Sequence, residues 1–194
     1  MDYRRYRRAG THVWALFALL ALDWLAGLAA CLLPESSPAA VRAGLLSLIL
    51  PFGYSAVLFT LYRWNPRFAL AGGCALAAAA MAVLLGFTDE FSARTAAAVS
   101  IAFLFMGALD EYFECSAQGN ALAFIDYSLR RRWGRLWTWY IWTLAAVILG
   151  RVAGGLLPSA GPAIEAVLDI LVLAQRAGKA VLLALTARML RRRS

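Results

Sequence analysis

Apolar residues run along this chain in six long blocks, with no alternation of apolar and polar positions inside them. The blocks cover about 13–33, 42–62, 68–88, 95–115, 137–157 and 163–185. Each is near the roughly 20 residues that a helix needs to cross the hydrocarbon core of a bilayer. Strands of a membrane barrel would alternate over about ten positions, so the pattern predicts helices. The expected fold class is an all-α integral membrane protein, a bundle of six transmembrane helices that forms a single polytopic domain over 1–194.

The polar separators are of two kinds. "MDYRRYRRAG" precedes the first block, "RWNPR" divides the second from the third, "SLRRRWGR" precedes the fifth and "ARMLRRRS" ends the chain. "PESSPAA", "TDEFSA" and "LPSAGP" hold no Lys or Arg. The two kinds alternate, apart from Arg94 at the start of the fourth block. Cytoplasmic loops are the ones enriched in Lys and Arg. The expectation is a multi-pass protein of the cell inner (plasma) membrane with the N-terminus and the C-terminus cytoplasmic. "LAAC", ending at Cys31, resembles a lipoprotein cleavage box, but Asp23 interrupts the apolar stretch before it. A retained first span is expected.

The stretch "NALAFIDYSLRRRWGRLW" lies between the fourth and fifth blocks. Asn120 is a candidate helix cap, and Leu122, Ile125 and Leu129 recur at helical spacing. This predicts a short amphipathic cytoplasmic interfacial helix between spans four and five. Arg130, Arg131, Arg132 and Arg135 would then meet anionic lipid headgroups. Trp133, Trp137, Trp139, Tyr140 and Trp142 would form an interfacial aromatic belt.

Composition agrees with a membrane class. Hydrophobic residues are 62% of the chain and charged ones 15%, against about 45–50% and about 25% in soluble domains. The net charge of +8 sits in clusters beside apolar runs. That distribution suits topology and lipid contact, with no nucleic acid as partner.

The residues exclude several chemistries. Cys31, Cys74 and Cys115 form no CxxC pair, and His12 is the single histidine. No metal site and no cofactor are expected, since zinc and haem sites need more converging ligands. HExxH, GxSxG and the DGxxAR motif of phospholipid synthases are absent. The reading leans away from an enzyme.

Small residues suggest close packing. "FALAGGCALAAAAMAVLLGF" should be a packing helix, and Gly150 with Gly154 forms a small-xxx-small pair. That pair could pack inside the bundle or join a membrane protein partner or a second copy. Pro51 should kink the second span.

The sixth block is apolar yet holds Glu165, Asp169, Arg176 and Lys179. At about 100° per residue all four fall within a stripe of about 80°. A charge at bilayer centre costs about 2.5 kcal/mol or more, so the stripe should face protein or water. Lys179 lies near the inner surface, where it could snorkel. Asp169 and Arg176 are about 10 Å apart along the axis, too far to pair. Asp23 is a candidate partner for Arg176, Arg151 for Asp169 and Arg42 for Glu165. A second polar cluster, Asp110, Glu111 and Glu114, ends the fourth span opposite Arg130 to Arg135.

The expected substrate- or ion-binding residues are therefore Asp23, Arg151, Asp169 and Arg176. The expected function is that of a transport or channel component for an ion or small charged solute. The alternative is a non-catalytic structural or assembly subunit of a larger membrane complex.

Overall fold

The computed structural model describes residues 3–34, 37–87, 91–156, 159 and 161–192, with side chains at all of these but 3–5, 31 and 155–156. The described residues form six long helices and no strand: α1 (Tyr3–Leu32), α2 (Pro38–Thr60), α3 (Arg67–Leu85), α4 (Ala93–Ala121), α5 (Tyr127–Leu156) and α6 (Gly161–Arg192). A single 3-10 turn, Leu61–Arg63, follows α2. All six helices are long and apolar enough to cross a membrane. Each apolar block of the sequence falls on one of them. Parts of the non-basic connections, at 35–36, 88–90, 157–158 and 160, lie outside the described residues, as do the side chains of Arg4, Arg5 and Cys31.

Local chemistry sets several boundaries. Ser37 accepts a bond from Ala39 N at 3.2 Å, and Pro38 opens α2, where a missing N–H costs nothing. Ser92 accepts from Thr95 N at 3.2 Å to start α4. α2 continues through Pro51.

Consecutive helices pack on one another, and α6 closes back on α1. The result is a ring of six helices. Its core includes the end where the start of α1 meets the end of α6: Val13, Leu16, Phe68, Trp133 and Leu183 are fully enclosed. The closure depends on Gly10. A Cβ on it would sit 3.3 Å from Leu190 Cβ and from Arg191 Cγ. Trp14 stacks beneath the Arg191 guanidinium at 5.8 Å. Toward the other end, large apolar side chains such as Leu25, Ile101, Leu149 and Ile170 point outward. This is what lipid-facing surfaces of spans require.

α3 packs tightly against α2. Ser55 donates to Gly72 O at 2.6 Å, and a Cβ on Gly72 would lie 3.2 Å from Ser55 O. Ala71, Ala75 and Ala79 are buried on the same helix. Small side chains let the two backbones approach.

One expectation differs from the structure. Residues 120–132 form no separate interfacial helix. Asn120 belongs to the last turn of α4, a turn spans 122–126, and α5 runs unbroken from Tyr127. The cap is Asp126 instead. Its carboxylate accepts from Leu129 N at 3.0 Å and from Ser128 Oγ at 2.8 Å. Those bonds hold the Asp126 carboxyl below the ordinary carboxylate range. The helical spacing of Leu122, Ile125 and Leu129 is real, but a turn splits it.

Candidate functional site

The interior of the ring is polar at one level. Lys179 of α6 is only 4% exposed. Its ammonium lies 2.7 Å from Glu111 Oε1 and 2.8 Å from Glu114 Oε2, both on α4. Tyr54 of α2 donates its hydroxyl to Glu114 Oε1 at 2.7 Å. The Lys179 ammonium also sits 5.3 Å from the Tyr54 ring centroid. Three alternate members of the ring thus meet through side chains at its centre.

Helix periodicity explains the convergence. Glu111, Glu114 and Gln118 stand three and four residues apart, on one face of α4. Gln175 and Lys179 stand one turn apart on α6 and are both buried. Tyr54 follows Pro51 on α2 and reaches across from the far wall.

The site contains more acid than base. Asp110 precedes Glu111 and encloses its Oδ1 without a partner. Glu111 Oε2 is enclosed in the same way. One ammonium therefore faces three carboxyl groups. Both polar atoms of Gln118, which is fully buried, lack a partner, as does Gln175 Nε2. Thr143 on α5 buries an unpartnered hydroxyl too. Native interiors leave few such groups, and here those of Gln118 and Gln175 stand one helical turn from Glu114 and from Lys179. Tyr140 of α5 brings its hydroxyl against Gly107, one turn along α4 from Glu111.

The residues singled out in the sequence are distributed differently. Asp23 is half-buried and accepts from Ser47 Oγ of α2 at 2.7 Å. Arg151 is exposed on α5, and Glu165, Asp169 and Arg176 are exposed on α6. Among the described residues none of these five takes part in an ion pair. Arg130, Arg131, Arg132 and Arg135 are exposed on the first turns of α5. The α4 acids pair with Lys179 rather than with these arginines. Lys179 does not snorkel: its face of α6, with Gln175, Leu182 and Thr186, turns into the ring. Gly150 faces α6, where a Cβ would meet Leu168 Cδ1 at 2.8 Å, and Gly154 lies opposite Gly161.

Tyr54, Gln118 and Gln175 went unnoticed in the sequence. Each is a polar group in an apolar span, and a buried phenol or amide needs a bonding partner. That was the available signal. Cys115 is buried, Cys74 half-buried, and both are free thiols. Among the described residues no three His, Cys, Asp or Glu side chains are arranged to hold a metal ion.

No family model, no curated protein and no solved structure matches this chain.

Proposed function

We propose that this six-span protein is a membrane transport component that passes protons through the cluster of Tyr54, Asp110, Glu111, Glu114 and Lys179. The observation that carries the reading is the charge imbalance: one buried ammonium against three carboxyl groups. An uncompensated charge inside a low-dielectric bundle is strongly unfavourable. Protons exchanged with the site balance it. Glu111 and Glu114 share the ammonium, Tyr54 fixes Glu114, and Asp110 has an open oxygen. The unpartnered amides of Gln118 and Gln175 lie on either side of Lys179 along the axis and support a hydrated approach from both.

We place the protein in the inner membrane with both ends cytoplasmic. The basic residues in the first turns of α1 and α5, around the start of α3 and in the last turns of α6 support this orientation. Proton passage is tested with purified protein in vesicles that trap a pH indicator, under a potassium diffusion potential. Internal pH should change with the native protein and stay constant with Glu111→Gln or Asp110→Asn. A native rate equal to that of protein-free vesicles, or full activity in both variants, overturns the reading.

A second reading, as an assembly subunit, has its own observation. Asp169 and Arg176 are exposed at membrane depth on α6, where lipid contact is unfavourable. A protein partner covering that face would satisfy both. Cross-linking in native membranes from a cysteine placed at 169 tests it; the absence of any heavier product sinks it.

A further inference from the structure

A groove of about 470 Å³ runs between α5 and α6 on the outside of the bundle. Its walls are Trp139 from α5 and Val181 and Leu185 from α6, and Gly178 forms its floor. The missing Cβ at Gly178 opens that floor; a Cβ would lie 3.1 Å from Trp139 Cζ3. The two helices run antiparallel, so the groove has a direction. Trp139 and Gly178 mark its deep end. Toward the end where the chain termini meet, α5 supplies Arg135 and Arg132, both lining the groove. Arg188 follows Val181 and Leu185 along the same face of α6 and is exposed.

These three arginines belong to no ion pair among the described residues. The acid whose field reaches Arg132 is Asp126. Its oxygen is already committed to Ser128 and Leu129. The groove thus joins an apolar trough to a cationic mouth whose arginines form no ion pair among the described residues, Asp126 reaching Arg132 only through its field.

The geometry points to a binding site for one anionic phospholipid, with an acyl chain over Gly178 beside Trp139 and the phosphate between Arg132 and Arg135. A guanidinium fork matches phosphate oxygens. Basic pockets between membrane helices hold lipids of this class. A free phosphate would leave the trough unfilled, and a zwitterionic lipid would leave the arginines unbalanced. The site depends on the helices standing in a bilayer and not on proton passage. It backs onto the helical turn of Lys179, so an occupied groove would press on the buried cluster from outside.

The test uses the full chain in nanodiscs that mix phosphatidylglycerol with phosphatidylcholine. Bromine on the acyl chains of one lipid or the other quenches nearby tryptophan. The contribution of Trp139 is the difference between the native chain and Trp139→Phe. Brominated phosphatidylglycerol should quench Trp139 more strongly than brominated phosphatidylcholine at equal content. The preference should fall by about fivefold for each arginine removed in Arg132→Gln and Arg135→Gln. Arg132→Lys with Arg135→Lys should keep part of it, and Gly178→Leu should weaken quenching by both lipids. Equal quenching in the native chain, or a preference unchanged in the double Gln variant, overturns the proposal. So does a Trp139 that neither lipid quenches in a chain that runs as a dimer, because a second copy then fills the groove.

Discussion

Tyr54 of α2 holds Glu114 of α4 by a 2.7 Å hydrogen bond, although α3 separates those helices in the ring. The bond crosses the interior and does not follow the wall. Removing its donor with Tyr54→Phe leaves Glu114 Oε1 in a buried place without its phenol. The expected loss is about 1–3 kcal/mol. Thermal melting of the purified protein in detergent reads it directly, and an unchanged midpoint would mean that the bond carries no net weight.

Lys179 is the larger lever. Lys179→Met leaves Glu111 and Glu114 facing each other without their ammonium. Breaking a buried pair from one side costs about 3–5 kcal/mol. The triple variant Lys179→Met, Glu111→Gln, Glu114→Gln should recover most of that stability while abolishing proton passage. Denaturant titration of the single and triple variants, set beside their proton passage in vesicles, separates the structural and functional roles of the lysine.

Gly72 tests the α2–α3 contact. Ala at this position would place a methyl 3.2 Å from Ser55 O and 3.2 Å from Phe59 Cδ2. Backbone is a poor neighbour to displace. The Ser55–Gly72 bond should lengthen, and the change should cost about 1–3 kcal/mol. Gly73→Ala is the control, since nothing lies within 4 Å of its Cβ position; equal effects at both sites would contradict the packing described.

Asp126 gives a pH dependence. Its carboxyl titrates below the ordinary range because Leu129 N–H and Ser128 Oγ–H bond the ionised form. A lowered folded value means that the cap contributes above the ordinary carboxylate range and is lost as pH falls through the lowered value. Relative to the intrinsic rate at each pH, amide exchange at Leu129 should therefore be slow at neutral pH and quicken in acid. In Asp126→Ala it should be fast throughout, with native and variant converging at the acid end.

The six helices were readable because their apolar residues fall in long unbroken runs, and such runs need no tertiary context to be recognised. The cluster was half readable. Periodicity placed Glu165, Asp169, Arg176 and Lys179 on one stripe, but it carries no information about which neighbour each edge of the stripe faces. The inward face of α6 centres on Leu168 and Gln175, roughly 60–80° round from Glu165. Lys179 falls on the inner edge of the stripe and Asp169 on the outer edge. A difference of about 80° in helix rotation thus separates a buried lysine from an exposed aspartate. The partner of Glu111 and Glu114 could not be read either. Arg130 to Arg135 are close in sequence, whereas Lys179 comes near only when the ring closes.

That closure has a consequence for biosynthesis. Glu111 and Glu114 are made on α4, and their counter-charge arrives two helices later, on α6. Until α6 inserts, the nascent bundle is an open horseshoe with acids along its inner wall. If the helices insert one after another, release from the insertion machinery should therefore wait for α6. A chain truncated after α5 would stay bound there or be degraded, however apolar its five helices are.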